Sequence, residues 1–304
     1  MKKTLTVEGD TKIVSYSPSP KFDPLSASAA EQVANGLPAM PEDPHHRERY
    51  ARLWNKVKNK FHYIEPTFRV ERDRTHGPRQ RQTAEGTQTS TNWSGGVVNP
   101  PAGQTFSWLE GDWVVPAVSA PTNNGTYYCA TWIGLDGDGS NDVFQAGVES
   151  DVSAKSSAVY YPWWEWFPAP SIAINNFPVA PGDMIVMVLC SVSGAGSTSG
   201  TVFWTNVTTG ASTNVHLTAP GGTSLAGNCA EWIVEAPTVG GGQSALADYG
   251  EVFFSVCEAV TNKGTVVNGG TGSNINMTAG GKVVSDGNLI TPTIVQCLYA
   301  GPRP

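Results

Sequence analysis

From Asn92 onward, short apolar or alternating runs recur between clusters of Gly, Asn, Ser and Pro. Examples are TFSWLEGDWVVP, TYYCATWIG, DVFQAGVE, AVYYPWWEWFP, DMIVMVLCSV, TVFWTNV, AEWIVE, EVFFSVCEAV and LITPTIVQCLYA. No helical period runs through them. Successive side chains of a strand point to opposite faces, so such runs bury one face and leave the other free. Many short strands at this spacing predict an antiparallel β-sandwich or barrel with two large sheets, and about 210 residues suffice for one such domain.

The preceding residues have a different character. Residues 1–90 hold 15 Lys and Arg against 11 Asp and Glu, a net of +4, and four of the five histidines. Residues 91–304 hold 4 against 15, a net of −11, which together give the chain's −7. We place a domain boundary at this step, with a basic extension over 1–90 and a β domain over 91–304. Residues 1–40 read as loose. Tyr50, Leu53, Trp54, Val57 and Phe61 fall at helical spacing among Arg and Lys, predicting an amphipathic basic helix near 44–62. Membrane-surface, partner-groove and self-docking readings of that helix compete; the charge segregation favours docking on the acidic part of its own chain. The Arg- and Gln-rich stretch 69–90 reads as a flexible linker and cleavage region.

Several chemistries are disfavoured. The acidic domain repels phosphate backbones, so no nucleic-acid partner is expected. No apolar run approaches a membrane span, and the N-terminus MKKTLTVEGDTKIV lacks the apolar core of a signal peptide. The five cysteines form no CxxC pair, and leave room for one disulfide without requiring one. His216 alone remains in the β domain, in the strand-like run TNVHLTAP, and there is no HExxH and no GxSxG. The acidic loop LDGDGSND fails as an EF-type calcium loop, because Asn141 and Gly147 stand at the sixth and twelfth places from Asp136. Neither a metal nor a cofactor is expected.

What remains is carboxylates, amides and tryptophans. In AEWIVE, Glu231, Ile233 and Glu235 share one strand face while Trp232 and Val234 share the other. Gln145 lies in VFQAG, and Glu165 lies between Trp164 and Trp166, an apolar setting costly for an unpaired carboxylate.

The run TWIGLDGDGSNDVFQAGVE resembles the W-x-G-I-D-G signature and following Q-x-G strand of the glutamic peptidases (eqolisins, peptidase G1, formerly A4). YYPWWEWFP resembles that family's W-Y-E-W-Y-P segment, AEWIVE its A-E-F-I-I-E strand, and NWSGG the opening of its mature domain. The order is the same across most of residues 91–260. Two features depart from the pattern: Ser140 stands where the family has a Cys after the D-G-D turn, and the usual secretion signal is not readable.

The resemblance implies a concanavalin-like, jelly-roll type sandwich and an acid-acting endopeptidase. It implies Gln145 and Glu235 as the catalytic pair, with Trp132, Asp136 and Glu165 as cleft or supporting residues; among Trp132, Trp163, Trp164 and Trp166 some are expected in the core and some, Trp166 included, lining the cleft, and Glu231 is expected to support its neighbour or face solvent at the cleft edge. It also implies unfolded or flexible proteins as substrates and an extracellular setting. Peptide hydrolysis needs a base for water, a donor for the oxyanion and an acid for the leaving amine; a Glu and an amide supply these roles. We expect a monomer whose N-terminal segment acts as an intramolecular inhibitor, its helix lying against the cleft side. A β-sandwich glycosidase using Glu165 and Glu235, or a lectin-like module, is the alternative; Gln145, an amide where a glycosidase needs a carboxylate, discriminates. Four N-x-S/T sequons, at Asn92, Asn124, Asn206 and Asn276, are glycan sites or plain turn residues.

Overall fold

The computed structural model describes residues 2–6, 12–19, 21–37, 44–82, 88–191 and 194–303. Two large antiparallel sheets face each other. The first runs in the order Ser273–Ala279, Trp93–Val98, Ala230–Glu235, Ala130–Leu135, Val143–Ser153, Val159–Phe167, Ser171–Ile174. The second runs Lys282–Thr291, Ile294–Tyr299, Glu251–Thr261, Phe106–Val114, Met184–Ser191, Ser199–Asn206, Ala211–Thr218. Ser273–Ala279 also pairs with Lys282–Thr291, so one strand joins the two sheets. This is the expected all-β sandwich.

Alternation builds the core. Trp232 and Val234, Ile133 and Leu135, Phe144, Ala146 and Val148, and Trp164 and Trp166 point from the first sheet toward the second. Leu109, Trp113, Ile185, Met187, Leu189, Val202 and Trp204 meet them. Trp232 also donates its indole N–H to the Glu110 carbonyl at 2.9 Å, which fixes the facing sheets in register. The opposite face of the first sheet is therefore free to carry chemistry.

The extension is more structured than its composition suggests. Lys12–Tyr16 adds to the edge strand Ala211–Thr218 of the second sheet, and Lys2–Thr6 pairs with it. An open sheet edge offers unpaired N–H and C=O groups, so a short alternating segment such as KIVSY pairs there despite its polar flanks. A short helix, Ala29–Ala34, opens on a Ser28/Glu31 capping box.

The basic helix spans Pro44–Val57 and docks on the acidic domain. Its address differs from the expected one. Leu53, Trp54, Val57 and Phe61 pack on Met184, Val186 and Val207, on the outer face of the second sheet. Arg49 reaches Glu110 and Asp112 there, the latter at 2.6 Å. The cleft face of the first sheet is instead occupied by the stretch expected to be a flexible linker. Phe68–Glu71 extends the first sheet beyond Ser171–Ile174, and Arg74–Thr75 pairs with Thr238–Val239. Arg74, His76 and Arg79 are buried. Residues 83–87 of that stretch lie outside the described residues.

Candidate active site

Cross-strand register sets three rows on the outer face of the first sheet. One row holds Trp93, Glu235, Ala130, Glu149 and Tyr161. The next holds Gly95, Ile233, Trp132, Gly147 and Trp163, and the third holds Val97, Glu231, Gly134, Gln145 and Glu165. Gly147 leaves the space between the two indoles: a Cβ there would lie 2.4 Å from the Thr131 carbonyl oxygen and 2.5 Å from the Trp132 Cβ.

Glu235 is held from two sides. Trp132 donates its indole N–H to Oε2 at 2.9 Å, and the Asn92 side-chain amide donates to Oε1 at 3.3 Å. Burial pushes the Glu235 carboxyl well above the ordinary carboxylate range, the neighbouring Glu165 and Glu149 add to the rise, and the Trp132 and Asn92 donors oppose it. Gln145 is fully buried, and its side-chain amide donates to the backbone carbonyl of His76. Glu235 and Gln145 do not bond to each other. The segment 76–78 and Asn92 link them, since the Asn92 amide also donates to the carbonyls of Gly77 at 3.4 Å and Pro78 at 3.3 Å.

His76 is the residue that sequence reasoning missed. Its ring stacks on Trp163 with centroids 3.6 Å apart and an interplanar angle of 12°. Its backbone N–H and its Nδ1 both bond to Glu165 Oε2, at 3.0 and 2.9 Å, and its Nε2 lies 2.5 Å from Glu149 Oε1. Arg74 extends the contact by pairing with Glu149 at 3.0 Å and Asp151 at 2.7 Å, while its guanidinium lies over the Tyr128 ring at 5.0 Å. On the other side Arg79 and Arg81 meet Asp138 at 3.2 and 2.7 Å. Asn92 was singled out as a sequon and as the first residue of NWSGG, with no role for its side chain; at 4% exposure and with both amide atoms engaged it cannot carry a glycan in this fold.

The other singled-out residues divide. Trp132 and Glu165 stand on the cleft face. Trp166 does not: it is in the core between the sheets, stacked on Phe144 at 4.7 Å. Glu165 and Trp166 are adjacent in one strand and must point oppositely; the outward indole of that strand is Trp163. Glu231 is fully buried with no well-formed hydrogen bond to either oxygen; burial, reinforced by Asp136, pushes its carboxyl well up, and the nearby Cys229 thiol opposes the rise. Asp136 adopts φ 73° and accepts the backbone N–H groups of Ala226 at 2.6 Å and Asn228 at 2.9 Å, so it pins the turn to the loop before AEWIVE. Ser140, in place of the family's Cys, accepts the Gly137 N–H at 2.7 Å and donates to the Asp142 carbonyl at 3.3 Å. The cysteines are all unpaired.

The Peptidase A4 family model matches residues 91–299. The chain belongs to the Peptidase A4 family. It is 30% identical to aspergillopepsin-2 of Aspergillus niger over 195 residues, 58% of this chain and 67% of that one. Its fold is similar to that of scytalido-glutamic peptidase, solved with a transition state analog inhibitor. That match has a TM-score of 0.59 and 23% identity, covering 69% of this chain and 98% of the other. It is also similar to aspergilloglutamic peptidase from Aspergillus niger, with a TM-score of 0.53 and 27% identity over 57% of this chain and 99% of that one. As a Peptidase A4 member, the chain is a peptide-bond hydrolase of the glutamic type. The match begins at Thr91, after the basic extension.

Proposed function

We propose that the protein is an acid-acting endopeptidase in which Glu235 activates water and Gln145 receives the charge that develops on the scissile carbonyl oxygen. The observation that carries this reading is the hydrogen bond from the Gln145 amide to a backbone carbonyl, that of His76, in an extended segment whose next carbonyls approach Asn92, itself bonded to Glu235. A polypeptide thus lies across the face with a carbonyl on the amide donor and a carboxyl alongside. As base, Glu235 takes a proton from water as the oxygen adds to the carbonyl carbon; as acid, it passes that proton to the leaving nitrogen. Gln145 donates to the oxyanion, and an amide keeps its hydrogens in acid. Glu235 needs its ionised form to begin. Displacing the segment and admitting water removes the burial that raises its carboxyl, while Trp132 and Asn92 continue to favour the ionised form.

The segment from Phe68 to Arg81 then acts as an intramolecular inhibitor, and residues 1–90 as a pro-segment. Three basic contacts support this, each against the acidic domain: Arg49 on Glu110 and Asp112, Arg74 on Glu149 and Asp151, Arg79 and Arg81 on Asp138. Burial raises Asp112 and Asp151 to about 7 and pushes Glu149 up, so these carboxyls take up protons in acid while Arg stays charged, and the Arg49 and Arg74 contacts weaken there. An extracellular setting and a monomeric state suit such an enzyme by family resemblance. Membership of a peptidase family, together with an amide rather than a carboxylate beside Glu165, disfavours the glycosidase and lectin alternatives.

The test is hydrolysis of an unfolded protein in acid. Wild-type protein cleaves it, and inhibitors built for a paired-aspartate site leave the rate unchanged. Glu235→Gln and Gln145→Ala each abolish the activity in protein that remains folded by circular dichroism. Near-normal turnover by either variant overturns the assignment.

A further inference from the structure

The contacts of His76 specify one peptide bond. Its carbonyl is the one on the Gln145 amide, and the next two carbonyls, of Gly77 and Pro78, accept from the Asn92 amide that also holds Glu235. Its ring fills a fitted pocket: Trp163 forms the floor, and carboxyls of Glu165 and Glu149 face its two nitrogens. Each of the two N···O contacts needs a proton between its atoms. A neutral imidazole supplies one; the second is held either by the ring as imidazolium or by one of the carboxyls. The ring and its two carboxyls therefore share two protons and one net negative charge. Arg74 and Asp151 are the next charged groups around this cluster, and Glu235 lies in the same row as Glu149.

We propose that the His76–Gly77 bond is the bond this peptidase cuts first in its own chain, and that the pocket formed by Glu149, Glu165 and Trp163 selects a histidine on the carbonyl side of the scissile bond. This rests on the assignment of Glu235 and Gln145 given above. In the closed state His76, Gln145 and Glu235 are at most 1% exposed, leaving no path for the attacking water. Acid adds a third proton to the cluster, which cancels its net negative charge and turns a charge-assisted ring contact into a weaker one to a neutral carboxyl. The segment loosens and water enters. The water oxygen then bonds to the His76 carbonyl carbon as Glu235 takes a proton. The carbonyl oxygen becomes an oxyanion held by Gln145. Collapse breaks the carbon–nitrogen bond, and the proton on Glu235 passes to the Gly77 nitrogen. One water is consumed, a carboxyl at His76 and an amine at Gly77 result, and Glu235 returns to its starting form.

The experiment takes the purified full chain from neutral pH to acid, quenches samples over time and reads intact masses and new N-termini, with hydrolysis of an added unfolded protein followed in parallel. The earliest product begins at Gly77, it forms at a rate independent of protein concentration, and it does not form in Glu235→Gln. Gly77→Ala cuts at the same place, since a Cβ there comes no nearer than 3.7 Å to Phe167. Short peptides carrying the sequence Arg-Thr-His-Gly-Pro, offered to the trimmed enzyme, are cut about tenfold or more faster than the same peptides with Leu for His. The Glu149→Gln, Glu165→Gln double variant loses that preference. An earliest product that begins elsewhere, while the added protein is hydrolysed in a Glu235-dependent way, overturns the processing bond and leaves the function standing. Equal rates for the His and Leu peptides overturn the pocket. Hydrolysis of the added protein that does not depend on Glu235 overturns the underlying assignment instead.

Discussion

The side-chain amide of Gln145 donates to the backbone carbonyl of His76, so a residue of the basic extension occupies the place proposed for a substrate carbonyl. Besides its strand pairings, the extension sets arginines on carboxylates both at the cleft and on the outer face of the second sheet, and only the first should control activity. Arg74→Ala removes the contacts to Glu149 and Asp151 beside His76. Its activity in acid should appear with a lag several-fold shorter than wild type, since part of the hold on the segment is already gone before acid is added. Arg49→Ala removes a pair on the opposite face and should leave the lag unchanged while lowering Tm. Progress curves for the two variants at one acid pH check this; a lag shortened by Arg49→Ala and not by Arg74→Ala would place the control in the helix instead.

Glu231 offers a pH test of the fold itself. Its carboxyl is fully buried with only the Cys229 thiol beside it to favour the ionised form, and burial raises its pKa well above the unfolded value. A raised carboxyl pKa means that the folded state holds a proton that the unfolded state releases. Its contribution is fully present below about pH 4 and is lost as pH rises toward the folded pKa. The domain should thus lose stability as pH rises above about 4, and Glu231→Gln, which cannot ionise, should lose less when an acid and a neutral pH are compared. Urea midpoints at the two pH values give the comparison; parallel losses in the two proteins would show that Glu231 is not the source.

Asp136 has a different role from that of a cleft acid. Both its oxygens accept backbone N–H groups across the loop before AEWIVE. Asp136→Asn sets an amide donor against one of them, at a cost of about 1–3 kcal/mol, which for a domain of this size lowers Tm by several degrees. Activity per folded molecule should fall less than in Glu235→Gln. Thermal melts beside initial rates separate these effects.

Much of this was legible in single strands. Alternation alone put Glu231 and Glu235 together and Trp232 opposite them, because period two is a local property of the chain. The same rule, applied to PWWEWF, puts Trp163 and Glu165 outward and Trp164 and Trp166 inward; treating Trp166 as a cleft residue overlooked it. His76 and Asn92 were not legible as site residues. The carboxyl groups their side chains meet lie 73 to 143 positions away, and neither carries a pattern that points across such a distance. Charge segregation foretold that the helix would dock on the acidic domain, but net charge has no address. The apolar face of Val186 and Val207, with Glu110 and Asp112 near it, decided the side.

The central claim is that Glu235 and Gln145 act together on one carbonyl, and a double-mutant cycle tests it most directly. With an unfolded protein or peptide substrate in acid, kcat/KM should fall about 10²–10⁴-fold for Glu235→Gln and about 10²–10³-fold for Gln145→Ala. The double variant should be about as impaired as the worse single variant, because groups that act as one unit are far from additive. Losses that multiply in the double variant, or near-normal turnover in either single variant that is folded, would contradict the account.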